Sequence, residues 1–162
     1  MAIDVGAAAS DRNNFFDPVT CVAKANPANA TGLITQVQIF SDSELEGIEV
    51  ASFSASGNDL TTRASVSLHD SDVGLTTYTA PTDFTAFEIQ TGDYIGIHFS
   101  SGQISIDDTG VGGGSGVWFK AGDQIPCTSE GFSLATNYEL SLYATGVQLG
   151  QINIGEDRKS VV

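Results

Sequence analysis

The stretch DYIGIHFS, residues 93–100, decides the fold class because its apolar and polar side chains alternate with a period of two. Ile95, Ile97 and Phe99 fall on one face of an extended chain, and the residues between them, including His98, fall on the other. This alternation is typical of a β-strand that is buried on one side only. We therefore predict a half-buried strand at this position.

The same period recurs along the chain between turns that are rich in Gly, Asn, Asp, Ser and Pro. RASVSLHD at residues 63–70 and NYELSLYATG at residues 137–146 repeat the alternation. No window sustains an apolar stripe of helical period over three turns. Further strands are predicted at residues 20–24, 33–40, 47–53, 76–80, 84–89, 103–106, 117–120 and 147–154.

Eight or more short strands separated by turn signals predict an all-β fold built as a two-sheet antiparallel β-sandwich. A jelly roll is the version that suits this length, and an up-and-down barrel is the alternative. Within GIEVASFSASG, residues 47–57, the apolar register changes from Ile48 and Val50 to Ala51 and Phe53. That change predicts a β-bulge or a strand end.

The two ends of the chain are predicted to lie outside the sandwich domain, which we place at residues 18–146. Residues 1–17 form an N-terminal arm, and residues 147–162 form a C-terminal strand and tail. Ile3 and Val5 make a short apolar alternation before the small residues GAAAS, and Phe15 and Phe16 follow. Apolar groups on a mobile arm suit strand addition to a neighbouring protein. We therefore expect these four side chains to be assembly contacts.

The charge balance bears on possible partners. Acidic residues outnumber basic ones 20 to 6, which gives a formal net charge of -14. Such a surface repels a phosphate backbone, so we expect no nucleic-acid partner. The first residues lack the basic and apolar regions of a secretory signal, and no stretch approaches 18 apolar residues. We expect a soluble chain that is made in a cytoplasm and has no membrane partner.

No constellation of catalytic, cofactor-binding or metal-binding residues is visible, so we expect no enzyme activity, no cofactor and no metal. His69 and His98 both fall at outward positions of regular strands, whereas catalytic side chains lie more often on loops. Asp107 and Asp108 point to opposite sides of an extended chain, which favours a turn over a carboxylate pair. VGGGSG, residues 111–116, lacks the Gly-Lys-Ser/Thr of a phosphate-binding loop.

Two acidic segments leave one alternative open. DSELEG at residues 42–47 and HDSDVG at residues 69–74 offer oxygen ligands for calcium. Neither has the residue order of an EF-hand loop. An irregular calcium-binding loop of the kind that sandwich domains sometimes carry is therefore the alternative to a chain without metal.

The two cysteines, Cys21 and Cys127, lie far apart in the sequence and form no C-x-x-C motif. We interpret them as two buried free thiols, with a disulfide that closes the long loop as the alternative. A zinc site around either thiol would need two further nearby ligands, and the sequence shows none.

Trp118 is the only tryptophan, and it follows the glycine-rich loop. An exposed tryptophan beside such a loop is typical of sandwiches that stack on a sugar ring. Val117 and Phe119 share one face of the predicted strand and Trp118 takes the other, so the outcome depends on which face is buried. We favour packing in a core or an interface, with glycan stacking by Trp118 as the alternative.

Four runs carry a resemblance to a known class of domain: AKANPANATGLITQVQIF, GIEVASFSASGNDLTTRASVSL, QTGDYIGIHFSSGQISID and GVWFKAGDQIPC. Together they resemble a β-sandwich domain that recurs in proteins of tailed bacteriophages and environmental viruses, over about residues 20–146. The resemblance implies a structural virion part without assigned chemistry. That part is a capsid decoration (cement) protein, or a head-fibre or tail-fibre domain.

A decoration protein is favoured over a long fibre because the chain has neither heptads nor internal repeats. The resemblance implies that the partner is the major capsid protein or another virion protein, and that the chain is a homo-oligomer, a trimer. It places the chain on the capsid surface of a virion after synthesis in the host cytoplasm. The alternative function is a carbohydrate-binding or adhesin-like module, a fibre or receptor-binding head.

Overall fold

A computed structural model of the chain describes residues 2–110 and 115–149, and its regular elements within these ranges are β-strands. Fifteen strands lie in this described part: β1 (Ala2–Gly6), β2 (Asn14–Phe16), β3 (Thr20–Ala23), β4 (Gly32–Glu46), β5 (Ile48–Ser56), β6 (Asp59–Leu68), β7 (Gly74–Thr79), β8 (Phe87–Ile89), β9 (Tyr94–His98), β10 (Ser101–Asp107), β11 (Val117–Lys120), β12 (Glu130–Gly131), β13 (Ser133–Ala135), β14 (Glu139–Leu140) and β15 (Leu142–Gln148).

The strands form two antiparallel sheets. The first sheet has the order β1-β15-β4-β10-β14, with β2 paired to β10 and both β7 and β8 paired to β4. The second sheet has the order β12-β6-β5-β9-β3-β11-β13. The prediction of an all-β, two-sheet antiparallel β-sandwich is therefore confirmed. This strand order does not by itself identify a jelly roll, which stays a prediction.

The main core lies between the two sheets, and it is built from the inward residues of the period-two windows. Ile95, Ile97 and Phe99 are fully buried in it, as the alternation in residues 93–100 predicts. Ile39 of β4 and Leu142 of β15 face them from the first sheet. Burial of such side chains contributes about 1.5–3 kcal/mol each and holds the sheets together.

A second, smaller core covers the outer face of the second sheet. Its members are Val22, Ala51, Phe53, Leu60, Trp118, Ile125 and Phe132. Ile125 and Phe132 belong to the segment after β11, which folds back over the sheet. The middle of this sheet is therefore buried on both faces, which explains why consecutive residues such as Cys21 and Val22 are both buried.

The predicted change of register in β5 is confirmed as a β-bulge. The pairing of β5 with β6 shifts between Ser52 and Phe53. Ile48 and Val50 face the main core before the shift, whereas Ala51 and Phe53 face the second core. The apolar register changes because the strand serves two cores.

The N-terminal residues correct one expectation. Ala2–Gly6 is a strand that pairs with β15, in register from Ala2 with Val147 to Gly6 with Tyr143. Ile3 and Val5 are fully buried in the main core. The expectation that these two side chains lie exposed on an arm is therefore wrong, because their alternation completes the first sheet. Residues 150–162, which hold most of the predicted C-terminal strand and the tail, and residues 111–114 of the glycine run lie outside the described residues.

No helix long and apolar enough to cross a membrane is found in the described part of the chain.

Candidate functional site

The outer edge of β7 is the first feature of the molecule that suits binding. Within the described residues, β7 pairs with β4 on one side and with no strand on the other. The amide of Ala80 donates to the carbonyl of Thr35 at 2.9 Å. Because bonded and non-bonded pairs alternate in an antiparallel ladder, this bond shows which residues of β7 bond to β4. By that alternation, the backbone groups of Leu75 and Thr77 point away from β4. They form an open row of donors and acceptors.

The edge of β1 differs because asparagines cap it. The amide of Asp4 donates to Asn29 Oδ1 at 2.9 Å, and Asn29 Nδ2 donates to the carbonyl of Ala2 at 3.2 Å. The amide of Gly6 donates to the carbonyl of Asn26 at 3.0 Å, and Asn26 Nδ2 returns a bond to the carbonyl of Gly6 at 3.2 Å. Four backbone groups on this edge of β1 are therefore already bonded and are not free to pair with an additional strand.

Apolar side chains and a groove accompany the open edge of β7. Val73 is 68% exposed and Leu75 is 52% exposed. The groove beside them has a volume of about 290 Å³, and it is lined by Asp11, Phe40, Ser41, Asp42, Val73 and Gly74. Burial and the nearby Asp11 carboxylate raise the pKa of Asp42, and a hydrogen bond from Ser105 opposes this. The groove is thus lined by apolar side chains and by the exposed carboxylates of Asp11 and Asp42.

The predicted assembly residues behave differently from one another. Phe16 packs against the main core, with its ring 5.8 Å from that of Phe119 and 5.9 Å from that of Tyr138. Phe15 is 40% exposed on β2 and remains available to a partner. Of the four residues expected to be assembly contacts, only Phe15 presents a largely exposed side chain.

Trp118 lies in the second core and is 1% exposed. Its Nε1 donates to Asn58 Oδ1 at 2.9 Å, and the ring of Tyr94 meets it edge-on at 4.9 Å. The Lys24 ammonium lies 5.5 Å from its ring centre. Since a stacking platform needs an open ring face, glycan stacking by Trp118 is contradicted and the core interpretation is confirmed.

His69 is engaged at both ring nitrogens. Its Nε2 lies 3.1 Å from Asp83 Oδ1, and its Nδ1 lies 3.1 Å from the carbonyl oxygen of Asp70. The bond to Asp83 is the main cause that raises the pKa of His69. The ring of Tyr78 packs 4.8 Å away. His69 therefore joins the loop before β7 to the turn after it.

Asp107 is the last residue of β10, and Asp108 begins the connection that follows it, so the strand ends at this pair. Asp107 Oδ1 accepts bonds from the amide and the hydroxyl of Thr109 at 2.8 and 2.7 Å. Asp108 accepts bonds from the side-chain amides of Asn13 and Asn14 at 2.7 and 2.6 Å, which lower its pKa. The two carboxylates bind different segments and do not face each other across a cleft.

Both cysteines are free, so the interpretation as two thiols is confirmed over the disulfide. Cys21 faces the main core, whereas Cys127 packs against the second core. The second sheet lies between these cores and separates the two sulfur atoms.

One cluster in the described residues has the composition of a metal site, and the sequence did not reveal it. Glu49, His98 and Asp123 each offer a ligand atom, and these atoms lie within 4.8 Å of one another. Neither acidic segment considered for calcium belongs to this cluster. The three residues are far apart in the sequence, so only the pairing of β5 with β9 and the return of the segment after β11 unite them.

Comparison with protein-family models, with curated proteins and with solved structures finds no match.

Proposed function

We propose that the chain is a non-enzymatic structural protein of a virion, a capsid decoration (cement) protein that binds its shell through the edge of β7. The resemblance described above supports the virion role. The single structural observation that supports the mode of attachment is the open, uncharged edge of β7 beside the exposed side chains of Val73 and Leu75.

The edge of β7 is open at Leu75 and Thr77, whereas Thr79 at its end is engaged by Asp83. The amide of Thr79 donates to Asp83 Oδ2 at 2.8 Å, and the amide of Asp83 donates to the carbonyl of Thr79 at 2.8 Å. Natural edge strands are commonly blocked by lysine, proline, bulges or covering segments. The sequence of β7 is GLTTYT, which contains no charge and no proline. Its pairing with β4 runs without a register shift from Gly74 to Thr79. A strand of another protein can therefore add to it by backbone hydrogen bonds.

The charge of the chain favours a basic segment of the shell protein as the added strand. The net charge of -14 opposes association between copies of the chain unless other contacts overcome it. Asp11 and Asp42 line the groove beside β7, and a Lys or Arg side chain on the incoming strand would pair with them. The exposed Val73 and Leu75 would lose water against the same strand.

The proposed partner is the major capsid protein or another virion protein, and the proposed location is the outer surface of the capsid. The proposed assembly state is a homotrimer, which rests on the resemblance. Native mass spectrometry of the purified chain tests it, with three copies expected and a monomer at micromolar concentration contradicting it.

Reconstitution tests the attachment. Particles that carry the protein are stripped of it and incubated with recombinant chain, and bound copies are counted by quantitative mass spectrometry. Leu75→Lys places a charge on the open edge, and Thr77→Pro removes an amide that points away from β4. We expect both variants to keep the fold, which circular dichroism verifies. We expect both variants to lose most of their occupancy.

Phe15→Lys is the matched control, because it charges an exposed apolar side chain on a different strand. We expect its occupancy to stay at the wild-type level. Full occupancy of Leu75→Lys together with a loss in Phe15→Lys would move the attachment site to β2. Absence of the chain from purified particles would contradict the virion role itself.

A further inference from the structure

We propose that Glu49, His98 and Asp123 bind a divalent transition-metal ion of the zinc class on the outer face of the second sheet. This inference is independent of the proposed virion role and goes beyond it. The ion would join the segment after β11 to the sheet beneath it.

The strand register prepares two of the three ligands. Glu49 of β5 lies directly opposite His98 of β9, and His98 lies directly opposite Thr20 of β3. Residues that are directly opposite in an antiparallel pair project to the same face, with Cβ atoms about 4.5–5.5 Å apart. The carboxylate of Glu49 and the imidazole of His98 are therefore neighbours because of the pairing itself.

The third ligand is held over this row by Thr20. The hydroxyl of Thr20 donates to the carbonyl of Gly122 at 2.7 Å and accepts from the amide of Gln124 at 3.0 Å. Asp123 lies between these two anchors, and its Oδ1 accepts from the amide of Ile125 at 2.9 Å. Ile125 is buried in the second core, which fixes the far side of the turn. The position of Asp123 above the sheet is therefore set by three hydrogen bonds and one packed side chain.

The distances suit a single ion. The Nδ1 atom of His98 lies 3.8 Å from Asp123 Oδ1, and all three ligand atoms lie within 4.8 Å of one another. Ligands at 2.0–2.2 Å from a tetrahedral zinc ion are about 3.4 Å apart. Small side-chain rotations on metal binding would bring the three atoms to that separation. Asp123 is about half exposed, so water has access to a fourth position.

The environment of the His98 imidazole distinguishes this cluster from a solvated acidic surface. Its Nδ1 atom is buried and has no hydrogen-bond partner, although the side chain as a whole is 13% exposed. Buried polar atoms in folded proteins nearly always have a partner. This nitrogen faces a carboxylate at a distance too long for a hydrogen bond, which leaves room for an ion between them.

The electrostatics of the cluster also favour a cation. The carboxylates of Glu49 and Asp123 lie side by side, with their ligand oxygens within 4.8 Å of each other. The nearest basic residue in the same cross-strand row is Lys120, and its ammonium pairs with Glu130 at 3.4 Å. A divalent ion would balance the two carboxylates of the cluster.

The ligand chemistry selects the class of ion. One imidazole nitrogen with two carboxylate oxygens suits zinc and its neighbours, such as cobalt and manganese. Calcium prefers six to eight oxygen ligands and takes none from imidazole. Zinc is therefore the probe, and calcium is the ion that we expect to be ineffective.

The test uses the full chain after removal of metal with a chelator and dialysis. Isothermal titration with Zn²⁺ is expected to show one site per chain, and the thermal midpoint is expected to rise with Zn²⁺ but not with Ca²⁺. His98→Asn and Asp123→Asn are expected to weaken binding more than about tenfold. Asp123→Asn keeps an oxygen that accepts from the amide of Ile125, so the turn is retained.

His69→Asn and Cys127→Ser are the matched controls, since they remove the other histidine and the more accessible thiol. Both are expected to bind Zn²⁺ as the wild-type chain does. Circular dichroism verifies that each variant is folded. Absence of stoichiometric binding, equal stabilisation by Ca²⁺, or unchanged affinity in folded His98→Asn would overturn the proposal, as would a loss confined to the control variants.

Discussion

Trp118 is buried because the second sheet is covered by a core on each of its two faces. Its neighbour Val117 enters the main core, and Trp118 itself enters the second core on the other side. The strand alternation predicted that these two side chains point in opposite directions. It could not predict that the segment carrying Ile125 and Phe132 covers the outer face, because that contact is made by residues far along the chain.

Replacement of Trp118 by alanine is expected to destabilise the fold by about 3–5 kcal/mol, because it opens a cavity and leaves Asn58 without its donor. Urea unfolding followed by circular dichroism measures the change. Val73→Ala is the control at an exposed site, where we expect a change within about 0.5 kcal/mol. A loss below about 1 kcal/mol for Trp118→Ala would contradict the buried position.

The two thiols are expected to react at very different rates. Burial raises the pKa of Cys21, so its thiolate is scarce and its sulfur is enclosed, whereas Cys127 is partly exposed. A disulfide reagent with a coloured leaving group should therefore titrate one thiol in the native chain and two in urea. Cys127→Ser should leave the native chain unreactive. Rapid reaction of both thiols without denaturant would contradict the burial of Cys21.

The His69 imidazole provides a pH-dependent contact. Its pKa is raised above the ordinary value mainly by the bond to Asp83, so the contact is present while His69 is protonated and Asp83 is ionised. It is lost as the pH rises through the folded-state pKa of His69. An NMR titration should show a raised pKa in the wild-type chain and a lower one in Asp83→Asn. Identical titration curves for the two chains would contradict the pairing.

At the scale of the elements, the period-two alternation predicted where strands lie, but the sequence did not predict which strands pair. β11 falls on residues 117–120 as predicted, and the bulge in β5 lies where the apolar register changes. The interpretation of Ile3 and Val5 as arm residues failed because small residues follow them, although their alternation was itself a strand signal. Whether a short alternation pairs with a strand 140 residues away depends on the rest of the sheet.

The open edge of β7 leads to an alternating pattern of amide protection. The amides of Thr76 and Tyr78 point toward β4, whereas those of Leu75 and Thr77 point to solvent. Hydrogen exchange followed by NMR should show slow exchange at the first pair and fast exchange at the second. Equal protection of all four amides would mean that the edge is covered in solution, and binding at this edge would then be contradicted.

At the scale of the whole molecule, the candidate sites arise from contacts between distant segments. The cluster of Glu49, His98 and Asp123 draws on two strands and a loop, and the groove beside β7 combines Asp11 with residues of β4 and of the β7 region. Composition predicted the acidity of the surface and period predicted the sandwich. Neither contains the strand order that brings these residues together.

The proposed function is the decoration of a protein shell through the edge of β7. Cryo-electron microscopy of particles that carry the chain tests it most directly, because a map at side-chain resolution shows which strand meets the shell. We expect a strand of the shell protein to continue the first sheet beyond β7, with a basic side chain near Asp11 and Asp42. A map in which the edge of β7 faces solvent while another surface contacts the shell would contradict the claim.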